Sequence, residues 1–201
     1  MLKVGLTGGI GSGKTEVAKI LQKNGFFVIN SDQIGHVCLT NPIISEIVIR
    51  EFGNNILTNG RIDRSKLGKI VFSDPTKKEK LNKIIHPVVI EEIKKISEKK
   101  SQEGEKVIII ESALLLEGSE KSLPPWLDRL ILVLAPLEIR IKRLQKDRGL
   151  TEQEILARIN SQKNPEEKIP FANWIIYNDS DFVKLNREVE KVIKDLKSEI
   201  G

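Results

Sequence analysis

Cysteine is almost missing from this 201-residue chain, where Cys38 is the only one. A lone thiol closes no internal disulfide, so a reducing, cytoplasmic compartment is expected. No run approaches the ~20 apolar residues that span a bilayer, so no membrane association is expected. Nothing at the N-terminus has the form of a signal peptide, because the first apolar run leads straight into a glycine-rich loop. Histidine occurs only at His36 and His86, without clustered cysteines, which gives no case for a zinc site. Aromatic residues make up 4% of the chain, leaving few platforms on which single-stranded nucleic acid can stack. The net charge is +5, yet the lysine pairs at 77–78, 94–95 and 99–100 have glutamates nearby, as solvated faces do. Nucleic acid is therefore not an expected partner, and no obligate protein partner is expected either. Internal repeats and low-complexity tracts are absent as well.

What the chain does have is an octapeptide, Gly8 to Thr15, reading GGIGSGKT. It fits the phosphate-binding pattern G-x-x-x-x-G-K-[ST] at every fixed position. The apolar run Leu2 to Leu6 precedes it and a helical stretch, Thr15 to Gln22, follows it, which is the context such a loop needs. Gly8, Gly11 and Gly13 let the backbone turn so that N–H groups face phosphates, and the helix adds its positive N-terminal end. Lys14 is placed to reach the β- and γ-phosphates, and Thr15 to offer its hydroxyl to Mg²⁺. Gly9, Ile10, Ser12 and Glu16 complete the predicted nucleotide-binding set, Glu16 also being favourable first-turn chemistry. A nucleoside triphosphate is the expected ligand, with Mg²⁺ as its metal.

A hydrophobic share of 39% against 30% charged residues fits one globular unit with a real core. Strand-like runs at Leu2 to Leu6, Phe26 to Ile29, Val107 to Ile110, Leu130 to Leu134 and Trp174 to Tyr177 alternate with helical patterns. That alternation predicts βαβ units and a parallel sheet, the core being 1–40, 101–136 and 172–201. Residues 41–100 form a long, mostly helical excursion, with one helix expected to begin at Pro87. His86, preceding that proline, is biased away from helical backbone. Residues 137–171 form a polar, arginine-rich helical segment with the character of a lid.

Asp32 lies just past the end of the second strand, where ligands of open α/β sheets bind. It can orient a hydroxyl that attacks phosphorus, or simply cap the helix that follows. Glu111 ends the third strand, where it can hold Mg²⁺ or merely terminate the strand. Arginines of the lid can stabilise charge on a transferring group and exclude water. Asp32 to Gly35 also reads D-x-x-G, but the chain lacks the [NT]-K-x-D stretch that selects guanine, which argues against a GTPase switch.

Taken in order, these pieces resemble the dephospho-coenzyme A kinase family over nearly the whole chain. The resemblance starts with GLTGGIGSGK at Gly5 to Lys14 and continues through Asp32, Phe52-Gly53, Gly60 to Arg64 with Leu67, and Val71-Phe72. Leu81, Ile84, His86-Pro87, Leu114-Leu115 with Glu117, Arg143, Gln162 and Asn178 follow at the matching spacing. It implies a P-loop kinase fold, an α/β three-layer sandwich with a five-stranded parallel sheet, a helical acceptor-binding insertion and a helical lid. It also implies transfer of the ATP γ-phosphoryl group to the ribose 3′-hydroxyl of dephospho-coenzyme A, the last step of coenzyme A synthesis. Asp32 then matches the family's proposed base, and Arg64, His86 and Leu115 fall on the acceptor side. Arg143 and Arg148 become the lid cations, with Lys146 the competitor of Arg148.

Four motifs depart from the family pattern. The family's Asp-Ala-Asp reads Asn30-Ser31-Asp32 here, and its Asp-x-Pro-Leu-Leu reads Glu111-Ser112-Ala113-Leu114-Leu115. In the lid, Gln-x-x-Arg becomes Arg140-Ile141-Lys142-Arg143, and Arg-Asp-Gly becomes Asp147-Arg148-Gly149. A nucleoside or nucleotide kinase, and a nucleotide-dependent switch without an acceptor, are the rival readings.

Overall fold

The computed structural model describes residues 1–117, 122–149 and 151–200, without the side chains of Phe72, Asp147 and Arg148. Five parallel strands form one sheet: β1 (Leu2–Gly8), β2 (Phe27–Asn30), β5 (Val107–Glu111), β6 (Arg129–Leu134) and β7 (Trp174–Tyr177), in the order β2-β5-β1-β6-β7. The expected α/β architecture is therefore present. Each expected strand is found, with no end moved by more than two residues. The apolar run of β5 is buried along its whole length, as a central parallel strand covered on both faces must be.

Alternate residues divide the sheet into two faces. Val4, Leu6, Val107, Ile109, Ile131, Val133 and Ile176 pack against α1 (Lys14–Lys23) and α8 (Phe182–Glu199). The apolar stripe of α8, Leu185, Val189, Val192, Ile193 and Leu196, recurs at helical spacing and is wholly buried. On the other face Ile108, Ile110, Leu130 and Leu132 are buried, and Leu115 and Leu127 pack against the bare backbone of Gly5.

The chain divides into two compact units, 1–30 with 100–201, and Ser31–Lys99. The second unit holds α2 (Ser31–Cys38), α3 (Pro42–Phe52), a hairpin of β3 (Leu57–Thr58) and β4 (Arg61–Ile62), α4 (Arg64–Ser73) and most of α5 (Pro75–Gln102). Its core is Val48, Ile56, Leu67 and Val71, with Leu81, Ile84 and Ile85 of α5 against it. Asn59 and Gly60 turn the hairpin with positive φ at both positions, the two-residue turn that matches strand twist. Asn41 and Asp63 cap α3 and α4 by accepting from backbone N–H groups of the first turn.

One expectation fails in this unit. No helix begins at Pro87, which lies inside the 28-residue α5, and His86 is helical too. Initiation falls instead at Pro75, where Asp74 accepts from the N–H groups of Thr76 and Lys77 at 2.9 and 3.2 Å. Apolar contacts at Leu81, Ile84, Ile85, Val89 and Ile93 keep one helical period through the proline. That continuous packing outweighs the roughly 3 kcal/mol an internal proline costs.

The remaining helices are α6 (Leu137–Arg148) and α7 (Glu152–Asn160), followed by a 3₁₀ stretch, Pro165–Phe171. Thr151 and Glu154 form a reciprocal capping box at α7. Among the described residues no helix is long and apolar enough to cross a membrane.

Ile109 is fully buried at the centre of the larger core. Ile109→Ala is expected to lower the unfolding free energy by about 3 kcal/mol, through lost transfer energy plus the cavity left behind. Urea unfolding followed by circular dichroism measures this, and a loss below about 1 kcal/mol would contradict the packing described.

Candidate active site

The glycine-rich loop joins the carboxyl end of β1 to α1. Gly13 caps α1 with φ 95°, and a β-carbon there would run into Asn178 Nδ2. Both facts demand glycine. α3, α4, α7 and α8 carry side-chain caps, whereas α1 has none. Its first-turn amides are thus without a side-chain capping oxygen, as are those of α6 behind Pro136. Lys14 folds back along the loop, its Nζ donating to the Gly8 carbonyl at 2.9 Å. Within the loop, Ser12 N–H donates to the Gly9 carbonyl at 3.0 Å. Ser12 Oγ is buried without a hydrogen-bond partner, polar capacity left unspent in the loop itself. Glu16 points outward and pairs with Lys19 at 2.6 Å.

Beside the loop, Asn178 follows β7 and is 4% exposed, its Nδ2 donating to the Ser12 carbonyl at 2.8 Å. Arg143 of α6 donates to Asn178 Oδ1 at 3.0 Å and reaches the Ser12 carbonyl at 3.5 Å. The guanidinium predicted to serve the phosphates is therefore already at the loop. Arg140, one turn earlier, is 6% exposed and donates from Nε to the Ile10 carbonyl at 2.8 Å. Burial pushes its guanidinium below the usual arginine range. The side chain of Arg148 lies outside the described residues.

At the sheet edge the register sets Asn30 of β2 opposite Glu111 of β5. Asn30 Nδ2 donates to Glu111 Oε2 at 3.0 Å, and Thr15 Oγ1 donates to Glu111 Oε1 at 2.9 Å. Two of the departures from the family pattern thus meet in one hydrogen bond. Thr15 and Glu111 bring a hydroxyl and a carboxylate together, the hard oxygen donors that Mg²⁺ takes alongside substrate phosphates. The described residues contain no group of three or more His, Cys, Asp or Glu side chains that could hold a metal ion by themselves.

In the second unit, Asp32 stands half-buried in the first turn of α2. His36, four residues on, shares its helical face. Arg64 NH2 lies 2.8 Å from His36 Nε2, and since a guanidinium only donates, His36 accepts there as a neutral ring. Burial and the Arg64 charge lower the His36 pKa, while Asp32 opposes them. His86 is half-buried in α5. Leu115, in the first unit, is 6% exposed and packs beneath Gly5.

Sequence reasoning assigned no role to His36, and it read Arg140 only as one cation among several on the lid. No local pattern distinguishes them. A buried arginine on a polar helix and a histidine paired across 28 residues are set by tertiary contacts. Asn178 and Gln162 were visible only as family matches.

A family model described as dephospho-CoA kinase matches residues 2–184. The dephospho-CoA kinase of Dehalococcoides mccartyi is 38% identical, the alignment covering 96% of each chain. A solved structure from Thermus thermophilus superposes with a TM-score of 0.80 at 32% identity, over 100% of this chain and 98% of that one. The dephospho-CoA kinase structure from Campylobacter jejuni gives 0.68 at 28% identity, over 98% of both chains.

Partial desolvation of His36, with the Arg64 charge beside it, sets a pH dependence. Below about 6.5 the unfolded chain takes up a proton that folded His36 resists, so stability falls as pH drops through that value and is fully kept above it. Melting curves between about pH 5 and 8 should show a steeper acid loss in wild type than in His36→Gln, which cannot titrate. Equal slopes would rule out the neutral, accepting histidine.

Proposed function

The chain belongs to the dephospho-CoA kinase family, and from that premise we propose a division of labour among its residues. The protein is a kinase acting on dephospho-coenzyme A in the final step of coenzyme A biosynthesis, with ATP as donor. The carrying observation is the loop that fits the phosphate pattern throughout and runs into the N-terminus of α1, with Lys14 and Arg143 already against it.

In this reading the loop Gly8 to Thr15 holds the triphosphate by its backbone amides, and Glu16 completes the first turn of α1. Lys14 and Arg143 offset charge on the γ-phosphoryl oxygens as it leaves the β-phosphate, and Arg148 is the second lid cation. Thr15 and Glu111 are the residues that would hold Mg²⁺, which when bound neutralises phosphate oxygens. Asn30 fixes the Glu111 carboxylate for that task by donating to its other oxygen. Asp32 accepts the proton of the ribose 3′-hydroxyl as the new O–P bond forms, which keeps the nucleophile aligned. Acceptor binding is assigned to Arg64, His86 and Leu115, with His36 orienting Arg64. We assign the unit Ser31–Lys99, which contains nearly all of 41–100, to the acceptor, and 137–171 to the lid. A cytoplasmic location fits the lone, buried Cys38, whose thiol burial pushes up and makes less reactive.

Purified protein given ATP, Mg²⁺ and dephospho-coenzyme A should yield the 3′-phosphorylated product. Rapid phosphorylation of a nucleoside monophosphate with no such product would overturn the assignment. Asp32→Asn is expected to cut kcat by roughly 10²-fold or more with the KM for ATP little changed. A fully active Asp32→Asn enzyme would return Asp32 to helix capping. Lys14→Ala should lower kcat/KM for ATP by on the order of 10²-fold or more, and a wild-type value would show that the phosphates sit elsewhere.

A further inference from the structure

Ile10, in the middle of the phosphate loop, has both of its backbone polar groups held by distant side chains. Its N–H donates to Gln162 Oε1 at 2.8 Å, and its carbonyl accepts from Arg140 Nε at 2.8 Å. The jaws of this clamp also close on the neighbouring residue. A β-carbon on Gly9 would fall 2.7 Å from Arg140 NH2 and 2.9 Å from Pro165 Cγ. A terminal nitrogen of Arg140 is buried there with no hydrogen-bond partner, so the side chain is placed by the loop and not by a counter-ion.

Gln162 is itself held firmly. The next residue, Lys163, donates its backbone N–H to Glu117 Oε2 at 3.0 Å. The other Glu117 oxygen pairs with Lys168 Nζ at 2.5 Å, and the lysine side chain is 2% exposed. A charge pair so far out of water holds its geometry strictly, because separating the partners strands a buried charge. Leu116, just before Glu117, adopts φ 60° although it is bulky and 2% exposed. Such a conformation persists only where its surroundings over-determine it. A rigid chain of contacts thus runs from Glu117–Lys168 through Gln162 to the phosphate loop.

We propose that Gln162 is a positioning residue that presets the phosphate loop for ATP, with Arg140 as the opposing jaw and Glu117–Lys168 as the anchor. The role rests on reading Gly8 to Thr15 as the ATP site. If only a fraction of loops holds the competent shape, apparent nucleotide affinity falls by that fraction, while turnover at saturation is spared. The clamp therefore acts on the KM for ATP and not on kcat.

Gln162→Met keeps the length of the side chain and removes its acceptor. In nucleotide-free protein, NMR should show the Ile10 amide exchanging roughly tenfold faster or more, with amides of β1 unchanged. The KM for ATP should rise about fivefold, with kcat and the KM for dephospho-coenzyme A within about twofold of wild type. Gln162→Glu, which retains an acceptor, should keep the Ile10 exchange rate of wild type. Wild-type exchange in Gln162→Met would overturn the clamp, as would a lowered melting temperature with an unchanged KM for ATP. Should Gln162→Met not fold, faster Ile10 exchange in Gln162→Glu would overturn it equally. Failure of the wild-type protein to bind ATP would instead overturn the reading of the loop, which the exchange measurement does not presuppose.

Discussion

The Glu111 carboxylate accepts from an amide on β2 and a hydroxyl on α1, and those two hydrogen bonds tie three segments together at the carboxyl edge of the sheet. At 6% exposure such a carboxylate is tolerable only if its oxygens are satisfied. The parallel register satisfies them by setting Asn30 directly across from it. Everything chemical in the first unit is laid out from that edge. The phosphate loop leaves β1 one strand away, and α1 starts where Thr15 can reach the acid.

Seen through that contact, the two sequence departures at 30 and 111 compensate each other. Acids at both positions would set like charges on neighbouring strands, each raising the pKa of the other. An amide at 30 removes the repulsion and supplies a donor, and the longer glutamate spans the gap to both Asn30 and Thr15.

Legibility in the sequence followed the range of the forces involved. The β1–loop–α1 unit was readable because turn chemistry, strand burial and helix start all lie within 22 residues of the N-terminus. The five strands were readable because strands covered on both faces are continuous apolar runs. Pro87 misled because a local rule about proline was overridden by apolar contacts extending along α5. The β3–β4 hairpin was missed because strands of two residues carry no period, although Asn59-Gly60 marks its turn. Arg140 reads as one of several lid cations and Lys168 carries no sequence signal, yet each is buried by contacts more than 50 residues away in the chain. His36 was passed over as a poor zinc ligand, whereas it serves as an acceptor for arginine.

The strand order also shapes how the chain comes to be folded. β1 and β2 are the first strands made, yet they are not neighbours, because β5 lies between them. That central strand cannot arrive until all of Ser31–Lys99 has been synthesised. During translation the two early strands keep unpaired backbone edges on either side of a missing member. Closing the sheet is then a long-range event, slow in the way non-local strand pairing is slow. The nascent protein is most exposed to misassociation in the interval before Val107–Glu111 slots home.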